Sequence, residues 1–197
     1  MSQRRSNAER TETTRTQLTR TARQLFSERG YSSTTIAEIA QRSGLTTGAL
    51  YHHWAGKEAL LVDVVHDIHR ELARRVRALD VEGEPLPQLL RSGQEFLAFC
   101  ADPAVARLLL LDAPAVLGYE RWREIDERWW LSTTIRLVER ARPAACGADF
   151  GAEGPRQLAL ALLGALTYLG HEVAMRGPEA AVSAGRTYEV LLTSLLC

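Results

Sequence analysis

The stretch that decides the fold runs from Thr34 to Leu61 and reads TTIAEIAQRSGLTTGALYHHWAGKEALL. Ile36, Ile39 and Ala40 lie three and four positions apart, which predicts a short helix with one apolar face. Gly44 then supplies a turn without a side chain at the corner, so that a second helix can cross the first closely. The spacing is that of a helix-turn-helix followed at once by another helix.

Polar residues mark where both helices begin. Ser33 or Thr34 is placed to cap the first helix, because a short hydroxyl side chain accepts bonds from the free N–H groups of a first turn. Thr46 or Thr47 is placed to cap the second, which runs to about Trp54. The outward face of this second helix is left for the groove of a DNA duplex.

That outward face contains no lysine and no arginine. Reading of guanine by arginine is therefore excluded on this helix, which leaves thymine-methyl contacts, hydroxyl or imidazole hydrogen bonds and DNA shape. The alternative is that residues 51–54 form an aromatic packing edge in an ordinary helical protein. The residues predicted to contact DNA are Thr34, Thr35, Thr46, Thr47, Gly48, Ala49, Tyr51, His52, His53 and Lys57.

The order of these residues resembles the N-terminal domain of the TetR family of bacterial transcriptional regulators. The similar segments are G-Y-x-x-T-T-I-x-x-I-A from Gly30, G-L-T-T-G-A-L-Y-H-H-W from Gly44 and K-E-A-L-L from Lys57. The resemblance covers about residues 12–62. It implies base contacts from residues 47–49 and backbone contacts from Thr35, Tyr51, His52, His53 and Lys57.

Charge is distributed unevenly along a neutral chain of 197 residues with 24 basic and 24 acidic side chains. Residues 1–57 hold nine basic and four acidic side chains, whereas residues 58–197 hold 15 and 20. A basic segment joined to an acidic one is typical of a small DNA-binding head on a body with another role. We therefore predict a disordered tail over 1–11, a DNA-binding domain over 12–57 and an effector-binding and dimerisation domain over 58–197.

No alternating strand pattern follows the head, and the body reads as a series of helices. The predicted helices of the body are 58–80, 85–100, 103–111, 118–142, 155–176 and 178–196. Ala113-Pro114 is expected to interrupt the third of them, because proline cannot continue a helix. With three helices in the head, the first over 12–29, the fold class is all-α with about nine helices, as the family resemblance also implies.

The last two predicted helices are unusually apolar for the surface of a monomer. The run LALALLGALTYL over 158–169 is shorter than the roughly 20 apolar residues of a membrane span, so no membrane partner is predicted. Two copies packed as a four-helix bundle would bury it in a twofold dimer; the alternative is an internal core. The predicted dimer-interface residues are Leu158, Leu162, Gly164, Leu166, Leu169, Tyr188, Leu191 and Leu195.

Aromatic residues gather in the body and indicate either a ligand pocket or ordinary core packing. A ligand held there would be small and apolar or aromatic, and the sequence does not identify it. The predicted pocket residues are Phe96, Phe99, Tyr119, Trp122, Trp129, Trp130, Tyr168 and His171.

Signals for other chemistry are weak. His66 and His69 lie one turn apart beside acidic residues, but such helix surfaces are usually solvated, so neither a metal nor a cofactor is predicted. Glycine-rich phosphate loops and hydrolase nucleophile motifs are missing from the sequence, which disfavours an enzyme. Three cysteines without metal spacing are consistent with a reducing cytoplasm.

These patterns, with the family resemblance, imply a DNA-binding transcriptional regulator. The expected form is a homodimeric repressor of a palindromic operator that a small-molecule effector releases. An architectural DNA-binding protein without an effector would share the head but would not respond to ligands. A helical metal-dependent enzyme that uses His66 and His69 would keep its activity when Tyr51 and Lys57 are replaced.

Overall fold

The structure is a computed structural model that describes residues 7–79, 83–141 and 153–196. These residues form nine helices and no strand, which confirms the predicted all-α fold class. The helices are α1 Asn7–Arg29, α2 Ile36–Arg42, α3 Thr47–His53, α4 Lys57–Ala78, α5 Pro85–Cys100, α6 over 103–117, α7 Tyr119–Ala141, α8 Gly154–Arg176 and α9 Ala180–Leu196.

Helices α1, α2 and α3 form a three-helix head around a shared apolar core. Leu18 and Phe26 of α1, Ile39 of α2 and Leu50 of α3 are inaccessible to solvent. Gly44 joins α2 to α3 with φ at +68°, a left-handed conformation that glycine adopts without the steric cost of a Cβ. The buried side chains and the tight turn hold α3 in one orientation on the head.

Thr35 caps α2, immediately after the two positions that the sequence predicted. Its hydroxyl accepts from the Glu38 backbone N–H at 3.2 Å, and the Glu38 carboxylate accepts from the Thr35 backbone N–H at 2.8 Å. This reciprocal arrangement satisfies two N–H groups that the helix itself cannot. Thr34 is instead fully buried, and its hydroxyl faces two backbone carbonyls at the end of α1. Thr46, one of the two predicted candidates, caps α3.

Helix α1 begins at Asn7, before the predicted start at residue 12. Residues 7–11, which the sequence pattern assigned to a disordered tail, are therefore helical, whereas residues 1–6 lie outside the described residues. The segment is polar throughout. Apolar periodicity marks only the helical residues that become buried, so it gave no signal for this first turn.

Helix α6 continues through Pro114, where the sequence pattern predicted an interruption. A π-helical turn at Arg107–Asp112 joins the α-helical parts Pro103–Ala106 and Ala113–Leu117. Pro114 is the second residue of the last part, directly after the π-helical turn, where the fixed φ of proline fits a helix. The predicted break was wrong because the π-helical turn changes the hydrogen-bond register just before the proline.

Two carbonyl oxygens of α6 lack the N–H donor that a regular α-helix would place four residues later. The π-helical turn removes one donor and Pro114 removes the other. The Ala113 N–H donates five residues back and so does not bond to Leu109. Leu110 loses its donor because position 114 is proline. The indole N–H of Trp122 donates to the Leu109 oxygen at 2.8 Å, and Nε2 of His171 lies 3.0 Å from the Leu110 oxygen. Side chains of α7 and α8 thus replace the bonds that α6 lacks.

Helix α5 lies at the centre of the body and contacts α4, α7, α8 and α9. Its approach to α9 depends on Gly93, because a Cβ at that position would lie 2.2 Å from Cε1 of Tyr188. The fully buried Tyr188 ring occupies the space that a side chain on α5 would otherwise fill. The α5 and α9 backbones can therefore pack closely around one large aromatic ring.

Helix α8 is long and apolar enough to cross a membrane when length and composition alone are considered. The expectation that its apolar run is too short was wrong, because the helix spans 23 residues and extends beyond 158–169 on both sides. In the fold, α8 packs against α5, α7 and α9. Leu158, Leu162 and Val173 serve packing within the body, whereas Tyr168 and Met175 are exposed.

The predicted dimer-interface residues fall into two groups. Leu158, Leu162 and Tyr188 are buried within the single chain, so their assignment to an interface was wrong. Helix α8 is apolar on more than one side, and sequence periodicity therefore cannot separate its internal face from its external one. Gly164 and Leu191 are exposed, and the partly exposed remainder are Leu166, Leu169 and Leu195.

We expect Gly93→Ala to lower the free energy of unfolding by about 1–3 kcal/mol, because the new methyl group overlaps the buried Tyr188 ring. Urea denaturation followed by circular dichroism measures the change. Gly185→Ala is the matched control on α9, since its Cβ would meet Gln94 at an ordinary 3.7 Å. Equal stability of the two variants would contradict the close packing at Gly93.

Candidate nucleic-acid interface and ligand cavity

Helix α3 turns one side to solvent, and we call this surface the α3 face. Tyr51 is 57% exposed there, while Ala49 and His53 are half-buried at its edge. The exposed side chains offer hydroxyl groups and an imidazole but no permanent positive charge. The α3 face consists of Thr46, Thr47, Gly48, Tyr51 and His52.

Gly48 has open space around it. A Cβ at this position would meet nothing closer than Oγ1 of Thr46, at 3.8 Å. Its backbone is helical, so neither packing within the chain nor backbone conformation requires glycine here. A glycine that the fold does not require is suited to the close approach of another molecule.

Lys57 has a structural role that the sequence pattern did not reveal. Its ammonium group donates to the carbonyl oxygens of Tyr31 at 2.9 Å and Thr34 at 2.8 Å. It also lies 4.2 Å from the centre of the Tyr31 ring. Because an ammonium carries three protons, one proton is left over after these two bonds. Lys57 thus ties the start of α4 to the turn between α1 and α2.

Thr34 does not reach the surface of the head. Its side chain is fully buried, so the prediction that it contacts DNA was wrong. Thr35 is exposed at the N-terminus of α2. His53 packs against Trp54 with ring centres 5.4 Å apart, and burial lowers the pKa of His53, as does the neighbouring His52.

Ion pairs join the head to α4. Arg15 of α1 contacts Asp63 at 2.6 Å, and Arg23 contacts Asp67 at 3.1 Å and Glu71 at 2.7 Å. These arginines contribute to the positive charge of the head by sequence, but their guanidinium groups face α4. They join α1 of the head to α4 of the body.

Two indole groups of α7 bond to two imidazoles of α4. Trp129 donates to Nδ1 of His66 and Trp130 donates to Nδ1 of His69, each at 3.0 Å. A ring nitrogen that accepts a bond carries no proton, so both imidazoles are neutral. Burial lowers the pKa of His69 to about 3, with a smaller effect from His66. The bonds hold α7 against α4 over one helical turn.

A cavity of about 90 Å³ lies within the body, and we call it the inner cavity. Leu72 and Val76 of α4, Phe96 of α5, Trp130 of α7 and Tyr188 of α9 contribute to its mainly apolar wall. The cavity touches α4, which also carries the ion pairs to the head.

A second recess, the outer groove, runs along α7 and α8. Asp126, Leu163 and Thr167 line both the inner cavity and the outer groove, so the two recesses adjoin at these residues. Four of the predicted pocket residues line the groove, namely Tyr119, Trp122, Tyr168 and His171.

Two other predicted pocket residues, Phe96 and Trp130, line the inner cavity. Phe99 and Trp129 line neither recess, so their assignment was wrong. Phe99 is buried beneath the guanidinium of Arg75, which lies 4.7 Å from its ring centre. Trp129 instead lines a polar cleft between the head and the body. Both residues lie on helices that also contribute to the pocket, which sequence spacing could not resolve further.

Asp126 is a cavity residue that the sequence pattern did not single out. Among the described residues, no hydrogen-bond donor or basic side chain contacts its carboxyl group. Burial raises its pKa from 3.8 to about 6, and the adjacent Glu127 adds to this shift. A usable signal was present, because Asp126 lies four residues from both Trp122 and Trp130 and therefore shares their helix face.

Known proteins are similar to this chain over most of its length. A family model described as bacterial regulatory proteins of the tetR family matches residues 18–64, and one described as a tetracyclin repressor-like C-terminal domain matches residues 86–195. The crystal structure of a TetR-family transcriptional regulator from Pectobacterium atrosepticum has a TM-score of 0.77 and 31% identity, and the match covers 98% of both chains. The fatty acid degradation regulator FadR from Bacillus halodurans shares the fold. Its structure has a TM-score of 0.70 and 16% identity, and the match covers 98% of this chain and 97% of that chain.

Curated relatives match over shorter segments. The A-factor receptor protein of Streptomyces griseus is 31% identical over 60% of this chain and 40% of its own length. The HTH-type transcriptional regulator TtgR of Pseudomonas putida is 39% identical over 42% of this chain and 40% of its own length. The matched segment thus spans about two-fifths of each of these relatives.

We expect Asp126→Asn to be more stable than the wild type by roughly 1–3 kcal/mol at pH 7.5, because the wild type must keep a half-buried carboxylate without a partner charged. The raised pKa means that the folded wild type binds its proton more tightly than the unfolded chain does. Its stability therefore falls as pH rises from about 4 through about 6, whereas the asparagine variant has no such loss.

Urea denaturation at pH 4 and pH 7.5 measures this difference, which should nearly vanish at the lower pH. Glu124→Gln is the matched control, since it removes an exposed carboxylate from the same helix. An asparagine variant less stable than the wild type at pH 7.5 would show that the Asp126 carboxylate has a stabilising partner.

Proposed function

The chain belongs to the tetR family of bacterial regulatory proteins, and from that membership we propose that it is a homodimeric repressor of a palindromic DNA operator. A small molecule bound in the body releases the operator. The exposed α3 face on a rigid three-helix head is the observation that carries the DNA-binding part of the proposal. The protein acts on DNA in the cytoplasm and, like the regulators it resembles, is not an enzyme.

The α3 face enters the major groove of DNA. Thr47 and Gly48 meet base edges, and the methyl group of Thr47 is suited to contact with thymine. Tyr51, His52 and the remaining proton of Lys57 contact phosphates beside the groove. Without arginine or lysine on α3, a large part of the sequence preference comes from DNA shape.

Two copies associate through the exposed apolar surface of α8 and α9. Tyr168, Met175, Val182 and Val190 are between 64% and 80% exposed, which is unusual for such side chains in a monomer. Packing of α8 and α9 against their symmetry mates gives a four-helix bundle. The two heads then reach half-sites about one helical turn of DNA apart. Residues 12–57 serve as the DNA-binding domain and residues 58–197 as the effector and dimer domain.

The inner cavity holds the effector. Its wall includes Leu72 and Val76 of α4 and Trp130, whose indole bonds to His69 of α4. A ligand that prefers one position of α7 relative to α4 shifts the tilt of α4. The Arg23 ion pairs pass this tilt to α1, and the heads no longer match the operator spacing. A ligand cavity in the body favours an effector-released regulator over an architectural DNA-binding protein, because the architectural protein binds no effector and needs no cavity.

We expect replacement of both Thr47 and Tyr51 by alanine to weaken operator binding at least 100-fold, because both side chains lie on the α3 face. Fluorescence anisotropy measures binding to DNA from upstream of the protein's own gene, with scrambled DNA as competitor, at two salt concentrations. Ser132→Ala, which removes an exposed hydroxyl of the body, should bind like the wild type.

Light scattering and circular dichroism should show the same dimer and the same helix content in all three proteins. Sequence-specific binding by the double variant would overturn the assignment of α3 as the DNA-reading helix. Binding by the wild type that scrambled DNA matches would favour the architectural protein instead.

Gly48→Ala should have opposite effects on stability and on DNA binding. Alanine is favoured over glycine within a helix by up to about 1 kcal/mol, and a Cβ has room at this position, so the melting temperature should not fall. The added methyl group would separate the α3 backbone from the base edges, and operator affinity should fall at least tenfold. Unchanged affinity in the anisotropy assay would place Gly48 away from DNA.

A further inference from the structure

The carboxyl group of Asp126 stands where the inner cavity meets the outer groove. Other acidic residues near α4 have arginine partners within the chain, as Asp67 and Glu71 do with Arg23. Glu127, next to Asp126, pairs with Arg123. Asp126 has no such partner among the described residues, although it lines both recesses.

The surroundings of Asp126 are matched to positive charge. Among the described residues that line the inner cavity, none is lysine, arginine or histidine, and Asp126 is the one carboxylate. The aromatic side chains of Phe96 and Trp130 contribute to the same wall, and aromatic rings attract cations. The adjoining outer groove adds Arg123, which pairs with Glu127, and His171, whose Nε2 lies 3.0 Å from the Leu110 oxygen. A bound anion would therefore find no unpaired basic side chain among the described residues of the inner cavity.

Two hydroxyl groups of the cavity wall are arranged as acceptors. Oγ1 of Thr134 donates its proton to the Trp130 carbonyl oxygen at 2.9 Å, and Oγ1 of Thr167 donates to that of Leu163 at 3.0 Å. With their protons used by the helices, both oxygens can only accept bonds from a ligand. The polar groups of this site therefore call for hydrogen-bond donors as well as positive charge.

We propose that the effector is an amphipathic amine, whose apolar or aromatic body fills the inner cavity and whose protonated nitrogen binds the carboxylate of Asp126. This inference rests on the effector-released regulator proposed above and names the chemical class of its ligand. The ammonium group supplies the charge and the donors that Asp126 and Thr167 lack within the chain. The stability that the unpartnered carboxylate costs in the free protein is recovered when the amine binds.

Three probes of similar shape test the charge requirement, namely 4-phenylbutylamine, 4-phenylbutanol and 4-phenylbutyrate, together with the naphthyl analogue of each. Isothermal titration calorimetry with the full-length protein at pH 7.5 measures affinity, and quenching of tryptophan fluorescence reports occupancy near Trp130. In each series the amine should bind at least tenfold more tightly than the alcohol, and the carboxylate should bind most weakly.

Asp126→Asn should bind the amines at least tenfold more weakly and should reduce the preference for amine over alcohol. Glu124→Gln, which changes an exposed carboxylate on the same helix, should bind all probes like the wild type. Equal affinity for amine and alcohol, unchanged amine affinity in Asp126→Asn, or no binding by either amine would overturn the proposal.

Operator binding measured on the same samples separates this inference from the proposed function. If the wild type binds the operator but shows no preference for the amines over the alcohols, the ligand class is wrong and the DNA-binding role is still supported. A wild type that binds amines through Asp126 but does not bind DNA supports the ligand class and rejects the repressor.

Discussion

Two sets of bonds meet on helix α4, and both functional sites depend on them. On one side, Asp63, Asp67 and Glu71 pair with arginines of α1, and on the other, two imidazoles accept bonds from the indoles of Trp129 and Trp130. The apolar face between them is fully buried. Because each polar contact is partly shielded from water, the contacts resist independent movement of the head and the body. In the proposed mechanism, a change beside Trp130 therefore reaches α1, which packs against α2 in the same head as α3.

The head could be predicted from sequence more fully than the body, for a physical reason. Its short helices each have one apolar face, so the positions of Ile39 and Leu50 specify what is buried and, by elimination, what α3 exposes. Hydroxyl residues were less predictable, since Thr34 and Thr35 are chemically alike yet one is buried and the other caps α2. Only the geometry of the turn after Gly30 decides between them.

In the body, α8 is apolar on several sides, and composition alone cannot tell Leu162, which is buried, from Tyr168, which is exposed. Apolar periodicity also has no means to detect a π-helical turn, so the predicted break at Pro114 followed from proline chemistry that the turn overrides. Asp126 was missed because its neighbours are charged and suggest a solvated face. Its four-residue spacing from Trp122 and Trp130 instead indicates that Asp126 lies on the inward face of α7. Because this aromatic face packs against the body, the carboxylate lines the inner cavity.

The arrangement of the recesses links ligand binding to dimer formation. Tyr168 and Met175 line the outer groove and also belong to the exposed apolar surface of α8. If two copies associate through that surface, the groove lies at the interface and its access to solvent is reduced. The carboxylate of Asp126 would then be farther from water in the dimer than in one chain, so an unpaired charge there would cost more. A positively charged ligand would be bound more strongly for the same reason, and its binding would depend on how the two bodies pack.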